Sequence, residues 1–270
     1  MSPLWRDEVA IYLAPRRVAL ARRARGLRPR TVADTEFAVS GSCSDFEPTL
    51  TRLEEVLGEP MWRDAAVRVI VADSWVRYGI VPWPTTHLAT DGRISYARYV
   101  MAQSYGDTVS DWHLSLSDTP PGRSYVACAM PAPLRTRLLA ALIGANLKLT
   151  SLQPQLVVAF NAWRERLPAD DAWFVSIDDG SLAAVHLSEG RWDRVHTARI
   201  SQDWLLELER LRAFGRLQGA DGSSGRMLLD APSWMRHVHS DSSTSLSWLE
   251  PDGTNAQIPY ELALLRRGYG

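Results

Sequence analysis

The feature that most constrains the fold is a series of three short apolar runs within residues 173–200. The first turn signal between them is Asp-Asp-Gly-Ser at 178–181, and the second is the Glu-Gly pair at 189–190. Runs rich in Val, Ile, Leu, Phe and Trp around such pairs are typical of strands joined by tight turns. The segment therefore predicts three consecutive strands.

The N-terminal segment carries a similar pattern. Residues 8–25 contain two β-type runs around a turn at 14–16, and residues 31–39 add a third run. Each half of the chain thus begins with a predicted hairpin and continues with further strands and helices. Such an order predicts an α/β protein with mixed sheets.

The rest of the chain is assigned from its hydrophobic periodicity. The predicted helices cover 46–57, 91–105, 134–145, 154–166, 202–217 and 259–267, and the further strands cover 65–72, 75–81, 112–116, 124–130, 147–152, 226–229 and 245–249. In the 91–105 helix we expect a broad apolar face that comprises Ile94, Tyr96, Tyr99, Val100 and Met101.

Composition narrows the classes of protein. A formal net charge of -1 gives no overall attraction for nucleic acid or for an anionic membrane. The N-terminus does not resemble a signal peptide, and no apolar run approaches the roughly 20 residues of a membrane span. Cys43 and Cys128 fit no ligand or redox motif, which favours two free thiols. We therefore expect a soluble cytoplasmic protein that binds no nucleic acid.

Common linear signatures of catalysis are missing from the sequence. Neither GxGxxG nor GxxxxGK[ST] occurs, and GxSxG and HExxH do not occur either. His237 and His239, with Asp230 and Asp241 nearby, lack a third ligand at a diagnostic spacing. We interpret them as part of a polar loop and predict no metal site.

The turn at 178–181 is the strongest candidate site. An Asp-x-Gly turn between strands can present backbone N–H groups to an anion, while its carboxylate holds a metal-bound water. Asp178, Gly180 and Ser181 are therefore the candidate phosphate-binding residues. The alternative is that the turn only closes a hairpin.

The two hairpins, within 10–23 and 176–187, are arranged as in the actin-like ATPase superfamily. The chain resembles most the PilM proteins of type IV pilus machines and the cytoplasmic part of GspL, their counterpart in type II secretion. IDDGSLAAVHLSEGRW at 177–192 resembles the second PilM hairpin, and LLAALIGANLKLTSLQPQLVVAFNAW at 138–163 resembles a helix, turn, strand and helix of that family. The resemblance covers most of the chain.

Two shorter segments add to this resemblance. PYELALLRRG at 259–268 resembles the last helix of the family, and the strand at Asp111-Trp112-His113 resembles GspL. The resemblance implies an actin-like (ribonuclease H-like) duplicated fold, with mixed β-sheets flanked by helices. Residues 1–152 would form the first half with an inserted subdomain, and 153–270 the second. The last helix is expected to pack back on the first half.

The departures from the family concern its nucleotide contacts. Actin-like ATPases begin with Asp-x-Gly and a nearby Lys, but here residues 12–14 are Tyr-Leu-Ala and Ala19 takes the Lys position. Residues 229–232, Leu-Asp-Ala-Pro, replace the Gly-Gly turn at the adenosine. Asp178 and Gly180 match the second motif. Since phosphoryl transfer depends on convergent donors, we predict a vestigial site without turnover and doubt that ATP or magnesium binds.

The resemblance implies a non-catalytic cytoplasmic scaffold of a type IV pilus or type II secretion-like assembly platform. Its partners would be the cytoplasmic tail of a PilN-like single-span inner-membrane protein and the assembly motor ATPase, and a homodimer stays open. The chain would be peripheral to the inner membrane through those partners.

Two alternatives remain. The first is an active actin-like ATPase or kinase-like enzyme in which Asp178 and Asp179 share metal or base duties. The second is a structural protein that keeps this fold for dimerisation, because a fold does not determine a function.

Overall fold

The computed structural model describes residues 7–24, 26, 30–86, 88–168, 171–178, 180–200, 204–217, 226–233, 235, 246–250 and 259–267. In chain order the elements are β1 (Glu8–Ala14), β2 (Arg17–Ala24), β3 (Arg30–Ala38), α1 (Glu47–Leu57), β4 (Ala66–Val71), β5 (Arg77–Val81), α2 (Thr90–Tyr105), β6 (Trp112–Leu116), β7 (Tyr125–Pro131), α3 (Ala132–Gly144), β8 (Lys148–Pro154), α4 (Gln155–Trp163), β9 (Ala172–Ile177), β10 (Ser181–Ser188), β11 (Arg191–Arg199), α5 (Trp204–Leu217), β12 (Arg226–Asp230), β13 (Leu246–Trp248) and α6 (Tyr260–Arg267). Short 3₁₀ segments cover Pro60–Trp62, Asp73–Trp75, Gly106–Asp111 and Arg164–Arg166.

Two five-stranded sheets share one topology. The strand orders are β3-β2-β1-β4-β8 and β11-β10-β9-β12-β13. In each sheet the first three strands form an antiparallel meander, and the last two join the central strand in parallel. The predicted hairpins, the three strands of 173–200 and the duplicated α/β fold with mixed sheets are therefore confirmed.

The central strand of each sheet is buried on both faces. Every residue of β1 and of β9 is buried. Strands covered on both sides are expected to be continuously apolar rather than alternating, and this is why both runs were recognisable in the sequence. Along β9, Phe174 packs in the large core that also contains β1, whereas Trp173 and Val175 pack in a second core with Trp204 of α5.

One hydrophobic core passes through both halves. It contains Ile11 and Leu20 of the first sheet together with Phe174 and Val185 of the second. The last helix, α6, also contributes to it, since Leu264 is fully buried there and α6 contacts β1 and β2.

The segment between β4 and α3 forms a small subdomain. Its antiparallel sheet has the order β5-β7-β6 and packs with α2 around a separate core. The edge strand β5 lies against the edge strand β11 of the second large sheet. Tyr78 and Trp192 meet at this contact, with 6.4 Å between their ring centroids.

Two details of the inserted subdomain differ from the sequence prediction. Within α2 only Ala97 and Met101 are buried, and Tyr99 is 65% exposed, so the predicted face was too broad. The small sheet beneath α2 covers a single stripe of the helix. The strand predicted over 75–81 begins at Arg77, because Asp73–Trp75 forms a 3₁₀ turn.

We expect Leu264→Ala to lower the free energy of unfolding by about 2–5 kcal/mol, because it leaves a cavity in the core that the two halves share. Leu206→Ala is the matched control, since Leu206 lies on α5 and is 52% exposed; its effect should stay within about 0.5 kcal/mol. Urea unfolding followed by circular dichroism measures both. Equal effects would contradict the packing of α6 on the first half.

Candidate functional site

The turns of the two hairpins lie close together between the halves. The Nη2 atom of Arg16, at the tip of β1–β2, stands 3.9 Å from the point that a Cβ on Gly180 would occupy, and Sγ of Cys43 stands 3.3 Å from it. Gly180 has φ of +127°, which side-chain-bearing residues rarely adopt. The backbone angle therefore favours glycine here, and an added Cβ would also crowd the sulfur of Cys43.

Asp178 is held by its own turn. The residue is 5% exposed. Its Oδ1 atom accepts hydrogen bonds from the backbone N–H of Ser181 at 2.8 Å and from the Ser181 hydroxyl at 2.9 Å. This is an Asx-type closure of a tight loop. The three predicted site residues are thus brought together, but Ser181 donates to Asp178.

The backbone donors of this turn are also used internally. The N–H of Asp178 donates to the carbonyl of Ser181 at 3.0 Å, and the N–H of Gly180 donates to the carbonyl of Asp178 at 2.9 Å. An anion cradle needs several N–H groups that converge on the ligand. The described N–H groups of this turn have acceptors within the turn instead. Asp179 lies outside the described residues.

The first hairpin has no carboxylate at the corresponding position. Ala14 pairs with Arg17 across a two-residue turn, and Asp178 bonds Ser181 across a turn of the same length. Counting from the turns, Ala14 is equivalent to Asp178, and Tyr12 is equivalent to Ser176. The resemblance had placed Tyr12 at the aspartate position, whereas the strand register places Ala14 there. Alanine likewise offers no metal ligand.

Tyr12 begins a buried hydrogen-bond chain across the two halves. Its hydroxyl donates to Oε1 of Gln155 at 2.7 Å, and Nε2 of Gln155 donates to the hydroxyl of Ser176 at 3.2 Å. The exposed fractions of these residues are at most 1%. The chain therefore connects β1, the first residue of α4 and β9, below the two turns.

Asp73 is a second buried carboxylate, 3% exposed, just after β4. Its Oδ1 atom accepts hydrogen bonds from the Tyr78 hydroxyl and, at 3.1 Å, from the N–H of Leu156 in the first turn of α4. Burial raises the pKa of Asp73 from 3.8 to about 7, against the effect of these two hydrogen bonds, and the charge of Asp178 adds to the rise. Asp73 therefore holds α4 and β5 together with a carboxyl group that titrates near neutrality.

A cavity of about 220 Å³ lies beside these residues. Its walls include Asp73, Ser181, Arg77 and Arg199, from the inserted subdomain and from β10 and β11. Pockets that hold drug-sized ligands and cofactors usually measure about 300–1,000 Å³. This cavity is smaller than that range.

A further group of polar contacts lies at the end of β12. Asp230, 1% exposed at the end of β12, accepts a hydrogen bond from the Tyr260 hydroxyl at 3.0 Å. The neighbouring Glu261 is 2.9 Å from Arg17 of β2. Burial raises the pKa of Glu261, and Arg17 opposes that rise. The pKa of Tyr12 is well above 10, first because of burial and then because of nearby Asp178 and Glu261.

Gln155 and Asp73 are the site residues that the sequence analysis missed. Both carried a weak signal in the sequence. Asp73 directly follows the predicted strand 65–72, and Gln155 comes shortly after the predicted strand 147–152, so each lies where the chain changes direction. Neither belongs to a linear motif. Gln155 gains its partners from the packing of α4 between the halves, and Asp73 is bonded both by Leu156 of α4 and by Tyr78 of β5.

Within the described ranges no group of three or more His, Cys, Asp or Glu side chains is arranged to hold a metal ion. The cluster considered from the sequence, with His237, His239 and Asp241, lies outside those ranges.

The duplicated sheets, the inserted subdomain and the paired hairpin turns define an actin-like ATPase fold. No protein-family model matches the sequence, and a search of curated proteins gave no match. No helix in the described part of the chain is long and apolar enough to cross a bilayer.

Three of the similar solved structures align with nearly the whole chain. A chain of the PilM-PilN type IV pilus biogenesis complex aligns with a TM-score of 0.65 and 15% identity, over 97% of this chain and 98% of that one. The cytoplasmic domain of EpsL, an inner-membrane component of the Vibrio cholerae type II secretion system, gives 0.60 and 12%, over 97% and 94%. A Bacteroides thetaiotaomicron protein of unknown function with an actin-like ATPase fold gives 0.60 and 9%, over 97% and 96%.

Removing the hydroxyl of Tyr12 tests the buried chain. We expect Tyr12→Phe to lower the free energy of unfolding by about 1–3 kcal/mol, because a buried amide oxygen of Gln155 loses its donor. Tyr99→Phe, at a residue that is 65% exposed, is the control and should change stability by less than about 0.5 kcal/mol. Chemical denaturation of both variants is the measurement. A neutral Tyr12→Phe would mean that this bond contributes nothing.

The raised pKa of Asp73 predicts a pH dependence of stability. A folded-state pKa above the unfolded value means that the native protein binds more protons between pH 4 and about 7. This contribution to stability is fully present below pH 4 and is lost as the pH rises to about 7. The loss is at most about 4 kcal/mol, because the pKa is raised from 3.8 to about 7.

Asp73→Asn isolates this effect, because an amide oxygen can accept both hydrogen bonds that Oδ1 accepts. The variant should gain stability relative to the wild type as the pH increases from 4 to 8. Urea midpoints at several pH values measure the difference. Parallel pH profiles for the two proteins would show that Asp73 is already ionised throughout this range.

Proposed function

We propose that this chain is a non-catalytic scaffold of a type IV pilus or type II secretion-like assembly platform. The observation that carries the proposal is the closed turn at 178–181, in which Asp178 and the described N–H groups bond one another. Actin-like nucleotide chemistry requires such groups to face phosphates and a metal shell. Ala14 at the equivalent first turn removes the second carboxylate.

The assembly-platform role is supported by the two structures with a named machine. One is a complex of PilM with PilN, and the other is the cytoplasmic domain of a type II secretion component. Both align over almost their full length, so the architecture that serves those proteins is present here as a whole. At 12–15% identity the likeness is one of fold.

The proposed partner is the cytoplasmic tail of a PilN-like, single-span inner-membrane protein. A short extended tail can be captured in a groove or along a strand edge without a large change in the receptor. In this proposal the chain is cytoplasmic, is held at the inner membrane by that partner, and also contacts the motor ATPase of the machine.

The second candidate is an active actin-like ATPase or kinase-like enzyme that uses Asp178. The retained Asp178 and Gly180, with the Arg16 guanidinium close by, favour it. Nucleotide binding separates the two candidates directly.

We expect ATP with magnesium to leave the thermal unfolding midpoint unchanged. A ligand at 100 times its Kd would add about 2.7 kcal/mol to stability, which a thermal scan detects easily. ADP and ATP without magnesium are the companion samples. A clear upward shift that Asp178→Asn removes would reject the scaffold proposal in favour of the enzyme.

Binding of the tail is tested by calorimetric titration with a synthetic peptide. The peptide corresponds to the cytoplasmic tail of a PilN-like, single-span inner-membrane protein from the same organism, and a scrambled peptide is the control. We expect saturable binding that ATP does not alter. Absence of heat with the native peptide, or equal heat with the scrambled one, would contradict the proposed partner.

A further inference from the structure

A second cavity, of about 460 Å³, lies at the other end of β10 from the 178–181 turn. Ser181 and Ser188 are the ends of this strand, so the two regions are separated by about 23 Å along it. Three parts of the chain form the walls: the loop 117–124 of the inserted subdomain, the end of α4 with the following turn, and the tip of the β10–β11 hairpin.

Positive charge dominates the described lining. Arg123, Arg164 and Arg191 come from the three different walls, against one carboxylate, Asp193. Neither Arg123 nor Arg164 forms an ion pair with any residue that the structure describes. Arg191 contacts the exposed Glu189 beside it on the hairpin. The cavity therefore presents guanidinium groups that are available to an anionic ligand.

The negative charge of Asp193 is already engaged. Its Oδ2 atom lies 3.2 Å from Nδ1 of His186 and 3.1 Å from Nε of Arg194. Asp171 contacts the other ring nitrogen of His186. These contacts hold Asp193 within the β-hairpin, so it weakens the field of the three arginines less than a solitary carboxylate would.

The floor of the cavity is aromatic. Phe160 of α4 and Trp192 of β11 meet edge to face, with 5.2 Å between their ring centroids, and both are half-buried. Phe160 also packs on Phe174 of the core at 5.8 Å, which fixes its position. An apolar floor with arginines around it has the composition of binding hot spots in protein interfaces, which are enriched in Trp, Tyr and Arg.

The rim of the cavity is built from tight turns. Glu189 and Gly190 both have positive φ, 52° and 70°, as in a two-residue hairpin turn. In the opposite loop, the hydroxyl of Ser117 accepts a hydrogen bond from the N–H of Val126 at 2.9 Å. Two of the walls are thus ordered by local hydrogen bonds and turn geometry, and a ligand would pay little to organise them.

We propose that this cavity binds an extended acidic segment of a partner protein. Carboxylates would pair with Arg123 and Arg164, since a planar guanidinium matches a carboxylate through two parallel hydrogen bonds. One apolar side chain of the segment would rest on Phe160 and Trp192. The volume lies in the range of specific binding pockets, about 300–1,000 Å³, and exceeds what a single ion fills.

The hydroxyl groups of the lining fit the backbone of such a segment. Ser124, Thr119 and Ser188 can each donate and accept hydrogen bonds. The site is distinct from the cleft between the hairpin turns and does not depend on the proposed assembly-platform role.

The test uses the full chain labelled with 5-fluorotryptophan, observed by fluorine NMR. The probe is a capped peptide that alternates pairs of glutamates with single leucines, and its control has glutamine at every glutamate. The resonance of Trp192 is assigned as the one that is absent from the spectrum of Trp192→Phe. We expect the acidic peptide to shift this resonance. Higher salt should weaken this binding, because the arginines are exposed.

Charge reversal localises the contact. Arg164→Glu and Arg123→Glu should each raise the Kd of the acidic peptide at least about tenfold, as expected for close charge pairs. Arg210→Glu is the charge-matched control, because Arg210 lies on α5 and is 67% exposed. It should leave the Kd within about twofold, since a distant surface charge is screened.

Three results would overturn the proposal. They are equal binding of the glutamine peptide, equal weakening by Arg210→Glu, and a Trp192 shift produced by inorganic phosphate or ATP but not by the acidic peptide. The last result would make the cavity a phosphate site.

Discussion

Buried hydrogen bonds between the two halves fix the positions of the two hairpins relative to each other. Tyr12, Gln155 and Ser176 belong to β1, α4 and β9, and burial denies each of them water as a substitute partner. A buried polar group that loses its partner costs about 1–3 kcal/mol, so these three elements are strongly held in one arrangement. Asp73 extends the constraint to the inserted subdomain, because its Oδ1 atom accepts hydrogen bonds both from the N–H of Leu156 in α4 and from the hydroxyl of Tyr78 in β5.

This constraint bears on function through the motion it opposes. Closure of two halves around a ligand needs hinges and an interface that can slide. Here the core of Ile11 continues into Phe174 and Val185, so a rotation of the halves would break apolar contacts and buried hydrogen bonds together. A fixed arrangement suits a protein that presents surfaces to partners. It suits less well an enzyme that must open to exchange a nucleotide.

The sequence predicted the strands better than the site. The runs that became β1 and β9 were visible because burial on both faces makes them continuously apolar, and glycine or proline marks their turns. The inward hydrogen bonds of Asp178 could not be predicted, because a linear motif does not say whether an N–H points into its turn or out of it. The shift from Tyr12 to Ala14 likewise needed the strand register. The exposure of Tyr99 depended on how little of α2 the small sheet covers.

The inserted subdomain explains why a second cavity exists at all. Open sheet edges expose unpaired backbone groups, and proteins commonly cover them. In this chain the edge strand β5 lies against the edge strand β11, with Tyr78 and Trp192 at the contact. Once β5 is held there, the 117–124 loop of the same small sheet must stand opposite the β10–β11 turn. Covering the sheet edge in this way leaves a space beyond the end of that edge. Three arginines line this space, one each from the loop, the end of α4 and the hairpin.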